Sequence, residues 1–223
     1  MQDGQWPGSW PPPTLHAGPE QGARRGTGHC LLELIFIHNP EPAMAHTTAG
    51  FTIRPFTTDE WPAYRALRLR ALADAPDAFG STLAAEEALA PDTWAARLAR
   101  STTSGIDRAL AAEANGALIG LAWAKEDAAD RSIVNLFQMW VAPEVRGQGV
   151  AGALLAEAVR WATARGAQAV QLGVTCTNAE ALRLYARAGF VDAGVREPLR
   201  PGSALIEQRM RLTLPGPVRA DRQ

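Results

Sequence analysis

Between residues 51 and 213 the chain alternates β-branched or aromatic runs with segments in which apolar residues return every third or fourth position. The first pattern marks strands and the second marks amphipathic helices. The pattern predicts strand 51–56, helices 58–73, 83–89 and 91–100, strands 108–114 and 117–125, and strand 132–141. Helix 149–165, strand 168–175, helix 178–188 and strands 190–195 and 204–213 follow. Asn115-Gly116 between two apolar runs is a hairpin signal. Antiparallel strands followed by strand-helix-strand-helix-strand imply an α+β fold, with a mixed, mostly antiparallel central sheet flanked by helices.

The sharpest change of pattern falls at Val141-Ala142-Pro143-Glu144-Val145-Arg146-Gly147-Gln148-Gly149-Val150-Ala151, where a buried-strand pattern gives way to a helical one. Val150, Leu154, Ala158 and Trp161 share one helix face, and Gly166 supplies a left-handed stop. The glycines around Gln148 allow a sharp turn and close approach of a ligand, and the open N–H groups at a helix start favour an anion, above all a diphosphate. Arg146 would add a charge-assisted donor at the lip. Two other readings of the loop stay open. One is a tight turn with no ligand. The other is the dinucleotide fingerprint G-x-G-x-x-G, met by residues 147–152, which would make the chain an oxidoreductase; the acidic residue it needs about 20 positions later is missing from strand 168–175.

A second motif runs from Thr175 to Phe190. Thr177-x-x-Glu180 reads as a capping box and Gly189 as a helix stop, which delimits a short helix. Asn178 and Tyr185 lie seven residues apart on it, two turns and roughly 10 Å along one face. Taken alone, they read as a cap and a core aromatic.

Arg146-x-x-Gly149-x-Ala151, followed by Asn178-x-x-Ala181-x-x-Leu184-Tyr185-x-x-x-Gly189-Phe190, resembles the GNAT superfamily of acyl-CoA-dependent N-acetyltransferases. The two motifs are independent and occur in the family's order. Phe51 to Phe56, Trp61 to Leu72 and Asp74-Ala75-Pro76-Asp77-Ala78-Phe79-Gly80 look like the first strand, first helix and substrate-side loop of many bacterial members, so the resemblance covers residues 51–214. It implies transfer of an acetyl group from acetyl-CoA to a primary amine by direct attack in a ternary complex. The pyrophosphate is expected on Gly147, Gln148, Gly149 and Ala151, and the pantetheine arm along the backbone of Met139 and Val141. The Val141 N–H would polarise the thioester carbonyl. Asn178 would touch the pantetheine arm, and Tyr185, near the sulfur, would protonate the leaving thiolate. Many members carry a glutamate on the strand that here holds Asn135. Glu113, Glu126 and Asp130 are the carboxylates left at strand ends, each expected as a solvated surface charge, so proton removal through ordered water is the expectation. A Cys176 acyl-enzyme lacks a histidine to activate the thiol, since His16, His29, His38 and His46 all precede the domain. A non-catalytic acyl-CoA-binding domain is the alternative. The acceptor is a small-molecule amine or a protein amine, with specificity expected from residues 74–90 and from the loop 196–202, whose two arginines would either meet a carboxylate or be solvated.

Composition narrows the partners. A net charge of −1, with Lys125 as the sole lysine and the arginines scattered, gives no basic face for nucleic acid or anionic membrane. Cys30 and Cys176 offer neither a disulfide framework nor metal spacing, so no metal is expected and a cytoplasmic setting is the default. A homodimer remains open. Residues 1–49 are rich in Pro and Gly and read as a disordered or non-native extension, with Met44 an alternative start; 50–214 form the catalytic domain and 215–223 a tail. The Leu31 to Ile37 run could add a strand to the domain.

Overall fold

The structure, a computed structural model, describes residues 46–48 and 50–215. The rest of the expected extension, with Met44 and the Leu31 to Ile37 run, lies outside the described residues.

Eight strands form one sheet: β1 His46–Thr48, β2 Phe51–Pro55, β3 Asp107–Ala114, β4 Ala117–Glu126, β5 Ile133–Val141, β6 Ala169–Thr175, β7 Val191–Pro198 and β8 Ile206–Thr213. Among the described residues five α-helices accompany them: α1 Trp61–Asp74, α2 Leu83–Glu87, α3 Pro91–Thr103, α4 Val150–Ala164 and α5 Ala179–Arg187. The strand order is β1-β2-β3-β4-β5-β6-β8-β7. Among the described strands only β5 and β6 pair in parallel, so the sheet is mixed and mostly antiparallel as the pattern implied.

Three local readings need correction. The sheet begins earlier than expected, because His46–Thr48 pairs antiparallel with β2 inside the segment read as extension. The helix expected from 58 begins as a 3-10 turn, Thr58–Glu60, closed by a Thr57/Glu60 capping box, and α1 proper starts at Trp61. The cap of α5 is Asn178 rather than Thr177: its side chain accepts from the Ala181 N–H at 3.0 Å. Asn178 already provides the short acceptor at the right step, so a threonine one residue earlier has no role in the cap.

Each sheet face carries a core. On one, Leu154, Leu155, Ala158 and Ala162 of α4 and Tyr185 of α5 cover Leu136, Val170, Leu172 and Met210. On the other, Tyr64 and Leu72 of α1 with Trp94 and Leu98 of α3 cover Leu121, Trp123 and Trp140. Tyr64 and Trp94 are fully buried and meet edge to face at 5.6 Å. Burial of one such ring stabilises the fold by about 2 to 3 kcal/mol. Gly120 lets α4 settle on the sheet, since a Cβ there would stand 3.0 Å from the Trp140 carbonyl and 3.2 Å from Leu154.

Candidate active site

The site is built where the sheet splits. Parallel pairing of β5 with β6 runs from Ile133↔Ala169 to Leu136↔Leu172 and then stops. β6 stays paired with β8 as far as Thr175↔Glu207, whereas β5 stays with β4, so a wedge opens between 137–141 and 173–175. The cause is a bulge. Between the pairs Trp123↔Phe137 and Leu121↔Trp140, β5 has one residue more than β4, and Gln138 takes a φ of 56°. Phe137 and Gln138 therefore both turn toward α1, and the alternation resumes one step late, with Met139 and Val141 toward α4. The left-handed Gln138 is held by burial and by the Tyr64 hydroxyl, which donates to its Oε1 at 2.9 Å.

Beyond the bulge the Ala142 N–H donates to the Ile119 carbonyl of β4 at 2.8 Å. Neighbouring residues point the opposite way, so the Val141 N–H and carbonyl face the wedge. Arg146 Nε donates to that carbonyl at 3.1 Å, and the N–H remains directed into the opening.

Gly147 and Gly149 have φ of 77° and 85°, and Gly149 caps α4 in the left-handed region. The first i→i−4 bond of α4 runs from Ala153 to Gly149, so the N–H groups of Val150, Ala151 and Gly152 stand at the open end of the helix. A Cβ built on Gly147, Gly149 or Gly152 would meet no atom within 4 Å, so the backbone here borders open space. Gln148 is exposed, with Nε2 3.5 Å from the Glu144 carbonyl. A cradle of backbone N–H groups with free space above it, beside a wedge wide enough to interrupt a sheet, fits a diphosphate and an extended arm.

Arg146 sits at the lip but is engaged. Besides the Val141 carbonyl it pairs with Asp74, whose Oδ2 also accepts from Trp140 Nε1 at 2.8 Å. Burial alone would raise the Asp74 carboxyl; the Trp140 and Arg146 bonds hold it below its ordinary range. Arg70 pairs with Glu144 and lies over the Trp140 ring at 5.4 Å. The last turns of α1 thus frame the cradle.

Asn178 caps α5, and Tyr185 is 6% exposed, its ring 5.9 Å from Phe190. Burial holds the Tyr185 phenol well above its ordinary pKa, so it carries its proton throughout the working range.

Of the carboxylates named from sequence, Asp130 is the exposed surface charge expected, whereas Glu113 and Glu126 are engaged by arginines. Glu113 accepts from Arg54 Nε at 2.7 Å, and Glu126 is buried and paired with Arg165. Asp130 is exposed and turned onto Ser132. Asn135 donates to Asp127 at 2.8 Å. The two loop arginines are used structurally: Arg196 pairs with Asp192, and Arg200 donates to the carbonyls of Pro76 and Phe79. Thr175 donates to the Asp77 carbonyl at 2.6 Å, which fastens the same turn to the tip of β6. Glu207 on β8 and Gly173 on β6 were not singled out by sequence; only their cross-sheet register reveals them.

A family model described as acetyltransferase (GNAT) family matches residues 61–190. The chain belongs to this family, and the class defined by the fold and the split sheet is therefore that of the acetyltransferases. It is 32% identical over 150 residues to a mycothiol acetyltransferase of Clavibacter michiganensis, an alignment covering 66% of this chain and 44% of that protein. The aligned part of the chain thus spans less than half the length of that protein. In fold it resembles a GNAT-family acetyltransferase of Streptococcus pneumoniae, with a TM-score of 0.64 at 24% identity over 74% of this chain and 99% of the other. A putative acetyltransferase of Salmonella typhimurium, solved with its cofactor acetyl-CoA, superposes with a TM-score of 0.61 at 22% identity over 74% and 95% of the two chains.

No described helix is long and apolar enough to cross a membrane.

Proposed function

We propose that the protein is an N-acetyltransferase that moves an acetyl group from acetyl-CoA to a primary amine by direct attack in a ternary complex. The observation that carries this reading is the left-handed glycine start of α4 opening onto the wedge between β5 and β6. Acetyl-CoA supplies a thioester whose carbonyl carbon is open to attack.

The residues act on that group in separate ways. The N–H groups of 149–152 hold anionic charge at the positive end of α4. The Val141 N–H stabilises oxygen as negative charge grows on it, where burial strengthens the bond. Tyr185 keeps its proton, and because an ordinary phenol is already about 1.5 units weaker as an acid than a thiol, full transfer to sulfur is uphill. Its role is hydrogen-bond donation to the departing sulfur, a bond that strengthens as charge develops there. The turn 76–79, fastened by Thr175 and Arg200, borders the acceptor side and is where the amine is selected. Action in the cytoplasm is part of this reading.

Thiol release from acetyl-CoA with a panel of amino acids, polyamines, aminated antibiotics and peptides with free amino termini tests it. Acetylated product and stoichiometric thiol are expected with at least one class. Tight binding of acetyl-CoA without turnover across the panel would favour the non-catalytic acyl-CoA-binding alternative.

A further inference from the structure

Glu207 is the second residue of β8 and lies opposite Thr175 of β6 and Glu197 of β7. Its side chain leans back over Gly173, so that a Cβ on Gly173 would fall 2.6 to 2.9 Å from the Glu207 carboxylate. That carboxylate occupies the room a side chain at 173 would take. Gly173 is the first residue of β6 beyond its last pair with β5, so the carboxylate stands over the mouth of the wedge. The face is also the right one. Thr175, on the same side, is tied to the 76–79 turn, whereas Val174 and Leu172 face α4 and α5. Glu207 therefore lies across the sheet from the cradle, on the side from which an acceptor approaches.

The groups around it leave it available. The charges facing it are Glu197 from β7 and Arg209 from its own strand, and Arg209 is drawn 3.9 Å from Glu197. β6 contributes uncharged Gly173 and Thr175. The 76–78 turn adds Asp77, whose carbonyl is held by Thr175, and the 199–205 loop adds Arg200, which is bonded to that turn. No hydrogen bond or ion pair reaches Glu207 among the described residues.

We propose that Glu207 is the general base of the reaction, accepting the proton that the acceptor amine gives up as its nitrogen attacks the thioester. The inference rests on the acetyl-transfer reading and names the base within it. The nitrogen lone pair forms the N–C bond, and the C–S pair leaves on sulfur. One N–H proton passes to the Glu207 carboxylate, and the thiolate takes a proton from solvent. Burial, and then Glu197, raise the Glu207 carboxyl to about 7, a value suited to a base working near neutrality. The base is thus supplied by a long-range strand neighbour in place of the ordered water expected from sequence.

Glu207→Gln preserves shape and removes the base. With spermidine and a short peptide bearing a free amino terminus as acceptors, the acetyl-transfer rate at pH 8 is expected to fall about 100-fold. The rising limb of the pH–rate profile, with a midpoint near 7, should disappear, while acetyl-CoA affinity stays unchanged. A Gly173→Glu, Glu207→Ala double substitution, which brings a carboxylate to the same place from the neighbouring strand, should recover part of the rate. An acceptor-independent readout is the carbon-13 carboxyl resonance of Glu207, assigned by its loss in E207Q and expected to titrate near 7 with acetyl-CoA bound. Wild-type rate and an intact limb in E207Q, or a Glu207 resonance titrating in the ordinary carboxylate range, would overturn the assignment. Failure of the unsubstituted protein to bind acetyl-CoA strikes the acetyl-transfer reading itself.

Discussion

Replacing Gly149 separates the charge of the cradle from its shape. At φ 85° any side chain is strained, and about 1 kcal/mol is lost on leaving glycine there, with Asn and Asp at the tolerant end. A Cβ meets nothing within 4 Å, so no clash adds to that cost, and for a domain of this size the melting temperature should fall by only about 2 to 4 °C. The effect on acetyl-CoA is much larger for Asp. A carboxylate about 5 Å from a diphosphate repels each unit charge by roughly 0.8 kcal/mol in a water-like medium and 3.3 kcal/mol at an effective dielectric of 20. For two charges at an exposed lip the sum is about 2 to 3 kcal/mol, or about 100-fold in Kd. Gly149→Asn carries the same strain and nearly the same shape without the charge, and should weaken binding less than about tenfold. Calorimetric titration of both variants at low and high salt is the assay. The gap between Asp and Asn should shrink as salt rises, because the lip is solvent-accessible. Equal affinities for Asp and Asn would show that no anion sits on the start of α4.

Two further substitutions probe the chemistry and its cost. Tyr185→Phe keeps the packing against Phe190 and should slow the single-turnover acyl-transfer step by about 100-fold with little change in acetyl-CoA Kd; an unaltered chemical step with weakened binding would leave Tyr185 as a contact only. Glu207→Gln should stabilise the protein at alkaline pH: a carboxyl whose pKa is raised on folding, here to about 7, destabilises the fold as pH rises above about 4.5, and fully so above 7. Discounted for partial exposure, the gain is about 1 to 2 kcal/mol at pH 8 and near zero at pH 4; equal melting temperatures at pH 8 would contradict it.

What sequence reveals here is what local pattern and glycine control. The helix of residues 150–164 was legible from its apolar spacing and its stop at Gly166, whose φ of 76° is the expected left-handed exit. The sharp turn before it was legible because Gly147 and Gly149 take the left-handed backbone that favours glycine. The bulge was not, since Gln138 carries a positive φ without being glycine and is held by Tyr64, 74 positions away in sequence. Arg146 invited assignment to a phosphate, yet Asp74, 72 positions upstream, claims it. Glu207 was hidden for a similar reason. Its meaning depends on the insertion of β8 between β6 and β7 and on the missing side chain at Gly173, neither of which is written in residues near 207. Asn178 shows the reverse case, a residue whose capping role was visible locally but was assigned one position too early.

The central claim is that the α4 cradle and the wedge receive acetyl-CoA rather than a dinucleotide. Thermal unfolding with each ligand tests it most directly. Acetyl-CoA at a hundredfold excess over its Kd should add about 2.7 kcal/mol, a rise of roughly 5 to 11 °C for a domain of this size, and NADH at the same concentration should leave the transition where it was. A protein raised by NADH and unmoved by acetyl-CoA would contradict the account.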